Sequence, residues 1–551
     1  MVEPVRPGQP WLHGPVPDLL FGCGALFAIS SLILGLGSGT VFRAVPAAVP
    51  AMLVAFVSAP HYGATLLRVY DRRSDRRAHF AFSVVATAVI AGIFGLSLFH
   101  HWTGSALATV YLTWTGWHYT AQNFGIAMMY ARRRGHSLAP RLRRSLHASF
   151  VLSFALVVLV MHGQQAPVAD PSLEVRLIPL AIPAGLGAIA VVVVLAAYLG
   201  ATGHALLLLV RGSGRLADGL PIAAIVATQA LWWSVPYAAR HFDLFGGVVP
   251  FGADLRSAFF VWIAVAHAAQ YLWITSHFAR SEAGFRGFGN YYGRALLAGS
   301  AIWMLPALAF APATDAFDWN FALLLAAAVN VHHFVLDGAV WKLRQSRVAR
   351  ALIEDRADVE ADERSGGWIR GAVWSAAAFA LLLSVASLVD RFYVLPSALK
   401  EGRLAAAARS LDRQAWFGTT DSITRFQLGR RFEAAGDLES ASIQYERSAR
   451  NVPRIEPYRR LLAIYERTER AGEFGRTCDA LFALESDRAR PAVSAGGGSV
   501  RGSLPDDDEG REASCMRIAQ GVRGPRAAAP PAAIATNAGG GGSVGPLVRY
   551  D

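Results

Sequence analysis

Four histidine positions lie inside the long apolar runs of this chain. They read SAPHYG around His61, GWHYTAQN around His118, AHAAQYLWITSH around His267 and His277, and NVHHFVLDG around His332 and His333. An imidazole inside a membrane segment is costly and normally has a partner or a task. Several of them on separate helices imply one shared object, and a metal ion is the commonest such object for imidazoles. Their neighbours fit that chemistry. Gln122 follows His118 by four residues, Gln270 follows His267 by three, Asn330 precedes His333 by three and Asp337 follows it by four. Those offsets share a helix face. A ligating imidazole gives its other N–H to an oxygen acceptor, a part these side chains can play. The candidate ligands are therefore His61, His118, His267, His332 and His333, with Gln122, Gln270, Asn330 and Asp337 orienting them. His332 and His333 stand about 100° apart on a helix. They serve two metals, or one ligates while the other bonds elsewhere. His277 lies closer to the membrane surface and is a weaker candidate.

The elements that must position these residues follow from composition. Of 551 residues, 53% are hydrophobic and 17% charged, a charge fraction below the roughly 25% usual in soluble proteins. Apolar runs recur up to about residue 390, each of about 18–25 residues and able to cross a bilayer as a helix. The candidate helices are about 19–38, 45–67, 79–99, 104–130, 146–162, 183–209, 219–239, 256–278, 295–312, 318–340 and 368–390. The fold class expected is all-α: a polytopic membrane bundle of about eleven transmembrane helices over residues 1–395, then a small helical-repeat domain.

The net charge of +12 sits largely in short loops. RVYDRRSDRR, ARRRGHSLAPRLRR and WKLRQSRVAR follow the second, fourth and tenth runs, and the alternate loops are poor in Lys and Arg. This is the positive-inside pattern, which orients helices rather than binding nucleic acid. It places the N-terminus in the cytoplasm and the C-terminal domain in the periplasm of a bacterial inner membrane. It also sets depth. His118 precedes Arg132 by 14 residues, His267 precedes Arg280 by 13, His332 precedes Lys342 by 10 and His61 precedes Arg68 by 7. At about 1.5 Å per residue the four positions fall within roughly 10 Å of one layer, on helices running the same way. A bundle core can gather such a layer into a metal site. The remaining histidines, such as His79, His147 and His204, read as ordinary polar packing or interfacial residues.

Residues 396–488 are charged and ordinary in composition. Leu428, Gly429, Phe432, Ala435, Gly436, Ala441, Tyr445, Ala449 and Pro453 fall in an order that resembles a tetratricopeptide repeat, and Leu462 starts a second, less regular copy 34 places after Leu428. That resemblance implies paired antiparallel helices and a surface for a protein partner. Residues 489–551, rich in Gly, Pro and Ala, are expected to be a disordered tail. Cys23, Cys478 and Cys515 are far apart and form no CxxC pair, so neither a disulfide framework nor a thiolate metal site is implied.

Imidazole-rich sites with few carboxylates suit iron, copper or zinc. Inside a membrane, iron has the clearest use, activating oxygen against a lipid-dissolved carbon skeleton. On SAPHYG and the single histidines of separate helices, the chain resembles intramembrane histidine-rich non-haem iron oxygenases, most of all the Brp/Blh-type carotene dioxygenases. The resemblance implies a polytopic iron enzyme acting on a lipid or isoprenoid. The repeat domain is not part of that family, and the HxxxH and HxxHH boxes of membrane desaturases are absent. Aromatic residues crowd the same segments, among them Trp114, Trp117, Tyr271 and Phe334. They line a flat substrate's pocket or simply pack. Two other classes stay open: a non-enzymatic transporter or envelope scaffold, and a haem protein ligated by a pair of histidines. No Walker loop or HExxH is present, and the GGGGSV-type runs of the tail are low complexity.

Overall fold

The computed structural model describes residues 11–36, 45–46, 48–71, 76–77, 79–133, 139–163, 178–212, 216–242, 256–282, 285–311, 321–341, 352, 367–419, 421–451, 455–489 and 508–522. The basic loops used for orientation fall partly outside them. Among the described residues every named element is helical, and the extended contacts include an isolated bridge between Gly163 and Ile182. We number the main helices α1 (Ala25–Leu36), α2 (Ala48–Tyr70), α3 (Ala81–Ser97), α4 (His101–Arg133), α5 (Pro140–His162), α6 (Ala184–Gly212), α7 (Gly219–Ala238), α8 (Arg256–Arg280), α9 (Phe288–Phe310), α10 (Phe321–Val340), α11 (Arg370–Lys400), α12 (Leu404–Trp416), α13 (Ser422–Ala434), α14 (Leu438–Asn451), α15 (Ile455–Arg467), α16 (Ala471–Ala489) and α17 (Asp508–Val522).

Seven of these, α2, α5, α6, α7, α9, α10 and α11, are long and apolar enough to cross a bilayer, which marks a membrane protein. The sequence pattern suggested about eleven. The helices outside the seven include α3, which is shorter, and α4 and α8, which are long but carry the amides and imidazoles of the candidate site along their middles. Burial separates centre from rim. In α10, 78% of the apolar window is buried, against 11% in α6 and in α11. Helix α10, which holds His332 and His333, is thus the axis of the bundle.

Proline leaves a repeated mark. Wide π-type turns run Val54–Ser58 in α2, Ala230–Ser234 in α7 and Asp390–Val394 in α11, and each ends two residues before a proline: Pro60, Pro236 and Pro396. Proline has no N–H to give the preceding turn and its ring crowds that turn's carbonyl. Widening the ladder relieves both, and such bulges often mark functional sites. In α2 the bulge lies immediately before His61. Just beyond it, α2 crosses α9 at very close range. A Cβ added to Gly63 would stand 1.8 Å from the carbonyl oxygen of Ala295, and one on Gly299 would stand 1.9 Å from that of Ala59. Small residues allow such backbone approach between membrane helices.

The segment before α1 is folded against α8. The Asp18 carboxylate accepts the backbone N–H groups of Leu12 and His13 and the indole N–H of Trp273, at 2.7, 3.0 and 3.0 Å. Gly22 lies flat on Trp273, where a Cβ would come within 2.6 Å of the indole.

The chain divides into two compact units, Met1–Leu428 with Arg450–Val452, and Gly429–Ala449 with Pro453–Asp551. In the second unit Gly429 faces the buried ring of Tyr445, whose hydroxyl donates to Glu433. Two expectations change here. Cys478 and Cys515 are joined by a disulfide. Their spacing carries no signal because 37 positions separate them and only helix packing brings them together. Within the stretch read as a disordered tail, Asp508–Val522 forms α17, packed on α15 and α16 with Cys515 and Ala519 buried. Its few apolar residues suffice because the disulfide ties it to α16.

Candidate metal centre

Four imidazoles from four helices meet in the middle of the bundle: His61 from α2, His118 from α4, His267 from α8 and His333 from α10. Ring centroids are 4.2 Å apart for His61 and His333, and 5.0 Å for His61 with His267, His118 with His267, and His118 with His333. All four residues are buried. Both ring nitrogens of His61 and of His267, and Nε2 of His118 and of His333, are buried without a hydrogen-bond partner. Leaving a buried polar atom unsatisfied costs about 1–3 kcal/mol. A cluster of such atoms is therefore a liability for a bare protein and suits a shared cation. Ligand atoms of His61, His267 and His333 lie within 4.8 Å of one another, as do those of His118, His333 and Asp337. This group can hold a metal ion.

The second layer fixes how His333 presents itself. Asp337 Oδ1 accepts the hydroxyls of Tyr271 at 2.8 Å and Thr65 at 3.1 Å. Thr65 Oγ1 lies 2.9 Å from His333 Nδ1. The same oxygen stands 2.6 Å from the Tyr271 hydroxyl. With its single proton given to Tyr271 or Asp337, it accepts N–H from Nδ1, the tautomer that a metal on Nε2 requires, and Nε2, 3.3 Å from Asp337 Oδ2, is then the ligating atom. Trp341 completes the layer by donating its indole N–H to the Tyr271 hydroxyl at 3.0 Å. Aromatic faces clamp the other rings. Tyr119 stacks on His267 at 3.9 Å and Phe334 on His118 at 4.3 Å.

Not every candidate arrives at the cluster. His332 faces the opposite way, with Nε2 2.9 Å from the Thr87 hydroxyl and 3.4 Å from that of Tyr70. It bonds elsewhere while its neighbour joins the cluster, one of the two outcomes that adjacent helix positions allow. Asn330 reaches the site through Tyr62, whose hydroxyl donates to Asn330 Oδ1 at 2.8 Å and whose ring lies 4.6 Å from that of His61. Gln122 donates to Gln270 Oε1 at 2.6 Å, and Gln270 donates to the Gly22 carbonyl at 2.8 Å. These two amides brace α4 on α8, and α8 on the N-terminal turn, instead of bonding an imidazole nitrogen. His277 packs beside Arg280 and His13, away from the cluster.

Thr65, the Tyr271 hydroxyl and Trp341 are functional candidates that the sequence reading left out. The signal for two of them was present. Each converging histidine has a polar residue four positions later: Thr65, Gln122, Tyr271 and Asp337.

Beside the cluster lies a cavity of about 260 Å³, lined in part by His118, Asp337, Trp114, Phe334 and Trp341. No family model matches the chain, and neither a curated protein nor a solved structure does.

Proposed function

We propose that this protein is an integral-membrane metalloenzyme, an iron-dependent oxygenase acting on a lipid or isoprenoid substrate. The observation that carries the reading is the convergence of four buried imidazoles from four helices, with unpartnered ring nitrogens and with ligand atoms of His61, His267 and His333 within 4.8 Å of one another. The donor set fits a borderline transition metal, with imidazoles in the majority, one carboxylate and no cysteine in the group. His61, His118, His267 and His333 would hold the ion. A bound iron supplies activation of dioxygen toward an otherwise unreactive carbon skeleton. The chain's own residues do the rest. Thr65 and Asp337 hold the tautomer and angle of His333. Phe334 and Tyr119 fix the rings of His118 and His267. The apolar cavity keeps water away and presents substrate at one side of the cluster.

The same reading places about eleven spans in a bacterial inner membrane, with the N-terminus cytoplasmic and the C-terminal unit periplasmic. Loop charge supports that orientation. So does the Cys478–Cys515 disulfide, since disulfides persist in oxidising compartments and are rare in the cytosol. The helix pairs α13–α14 and α15–α16 would then act as tetratricopeptide repeats presenting a surface to a protein partner. Four imidazole rings packed 4.2–5.0 Å from their neighbours favour a bare ion over haem, because a macrocycle would have to stand among them.

Metal analysis with a visible spectrum on the purified full-length protein tests this. The expected result is close to one equivalent of transition metal and no Soret band. His118→Ala and His333→Ala should lose the metal, and His332→Gln should keep it. Less than about a tenth of an equivalent in the unsubstituted protein would refute the reading, because metal binding should contribute to the folded state. A non-enzymatic carrier or scaffold instead requires that both alanine variants leave the metal content unchanged.

A further inference from the structure

Asp337 stands on the wrong side of His333 for an orienting partner. A group that orients a ligating imidazole takes the N–H of the nitrogen facing away from the metal. At His333 that nitrogen is Nδ1, and Thr65 is the residue beside it, at 2.9 Å. Asp337 Oδ2 lies instead 3.3 Å from Nε2 of His333 and 3.9 Å from Nε2 of His118. Both nitrogens are buried without a hydrogen-bond partner. Donor atoms held about 2.0–2.2 Å from one ion stand roughly 2.8–3.6 Å apart at octahedral or tetrahedral angles. The first separation is inside that range and the second just beyond it. The Tyr271 hydroxyl donates to Oδ1 at 2.8 Å, which leaves Oδ2 to face the imidazoles. A buried carboxylate needs a cation or a metal. Among the described residues, the basic groups in ion-pair reach of Asp337 are the imidazoles of His118 and His333.

The cavity gives this arrangement a side. Of the five donors, His118 and Asp337 line it, while His61, His267 and His333 do not. Small, exposed residues of the lining stand beside both: Ala121, three places after His118, and Gly338, next to Asp337. The far side of the cluster is covered by rings, with Tyr119 on His267 at 3.9 Å and Tyr62 beside His61 at 4.6 Å. We propose that Asp337 is a direct ligand through Oδ2, and that the His118–Asp337 edge is where a small uncharged diatomic molecule reaches the ion from the cavity. Walls contributed by Trp114, Ile126 and Phe334 favour an uncharged guest. The carboxylate sets one negative charge against a divalent ion, where neutral imidazoles set none. The proposal rests on the metal-centre reading above.

The test uses the full-length protein in detergent, stripped with a chelator and reloaded with Co²⁺, whose visible bands report its donors. Asp337→Asn keeps an acceptor for Tyr271 and sets an amide N–H beside the two bare Nε2 atoms. It should leave the thermal midpoint of the metal-free protein no lower. It should weaken Co²⁺ binding by more than about 100-fold, beyond the roughly 10–100-fold of an outer partner, and shift the bands at saturating metal. Asp337→Cys should give an intense thiolate-to-cobalt charge-transfer band absent from the unsubstituted protein, because only a side chain bonded to the ion produces one. For the cavity edge, protein loaded with Fe²⁺ in the absence of air takes nitric oxide as the probe, read by electron paramagnetic resonance. Gly338→Leu and, separately, Ala121→Phe should weaken nitric oxide binding by at least about tenfold through overfilling, with iron content unchanged. Unaltered cobalt bands in Asp337→Asn, or no charge-transfer band in Asp337→Cys, overturn the ligand assignment and leave the metal reading standing. Undiminished nitric oxide binding in both cavity variants overturns the edge. If the unsubstituted protein loads neither metal, the metal reading fails and this proposal with it.

Discussion

Thr65→Val is the most informative single change. Valine keeps the shape of threonine and removes only the hydroxyl. Thr65 is 1% exposed, and its oxygen stands 2.9 Å from His333 Nδ1 and 3.1 Å from Asp337 Oδ1. Removing it strands the Nδ1–H of His333 and frees the ring to carry its proton on Nε2, where the lone pair is needed. Asp337 keeps the Tyr271 hydroxyl at 2.8 Å, so the carboxylate stays in place, and the loss falls on the imidazole and on the 2.6 Å contact between Thr65 and the Tyr271 hydroxyl. Loss of such an outer partner typically lowers metal affinity about 10–100-fold, or about 1.4–2.8 kcal/mol. The stranded donor should cost the metal-free protein about 1–3 kcal/mol. Competition with a chromophoric chelator reads the first quantity, and thermal unfolding in detergent with and without metal reads the second. Thr65→Ser should recover most of both, because it restores the hydroxyl. If Thr65→Val binds metal as tightly as the unsubstituted protein, the assignment of Nδ1–H to Thr65 is wrong, and with it the inward-facing lone pair.

Further expectations concern the scaffold. Gly63→Ala should lower folded yield and the thermal midpoint by more than the roughly 1–3 kcal/mol of ordinary overpacking, because the obstacle 1.8 Å away is the Ala295 backbone carbonyl rather than a side chain; a variant of normal stability would mean the crossing is looser than described. Cys478→Ser should remove about 2–4 kcal/mol of stabilisation from α17 and make that helix sensitive to protease, as a reductant should in the unsubstituted protein; cleavage indifferent to both would rule out the cross-link. Asp437 caps α14 by accepting the Ser440 backbone N–H at 3.0 Å, and that bond holds its carboxyl below the ordinary value of 3.8. Its contribution is thus present above pH 3.8 and is lost as pH falls through the lower folded-state value. Asp437→Ala should cost about 1 kcal/mol near neutrality, whereas Asp437→Asn should keep the cap and abolish this acid dependence, both measurable by denaturant unfolding at several pH values.

Much of the candidate centre was legible because a helix enforces fixed spacing. His61, His118, His267 and His333 could be placed in one layer by counting from the basic loops, and Asp337 could be placed on the face of His333 by its offset of four. Local periodicity carries this information before any helix has met another. The ambiguity at His332 and His333 was also visible, since adjacent helix positions diverge, but not which of the pair would join. That depends on the rotation of α10 about its axis, which its neighbours set: Thr87 and Tyr70 take His332, while Thr65 takes His333.

The amides show the limit from the other side. Gln122 and Gln270 have the offsets expected of imidazole partners, yet they bond to each other and to Gly22, because α4 and α8 approach closely enough for the amides to meet. The disulfide is a further case, since a pairing across 37 positions is decided by how α17 docks. Sequence alone determined which residues share a face, an approximate depth and an apolar environment, because bonded geometry and the bilayer's demand for internal hydrogen bonding act within each helix. Which faces turn toward one another follows instead from close approach between helices: glycine against carbonyl at Gly63 and Gly299, and a proline-widened turn ahead of His61.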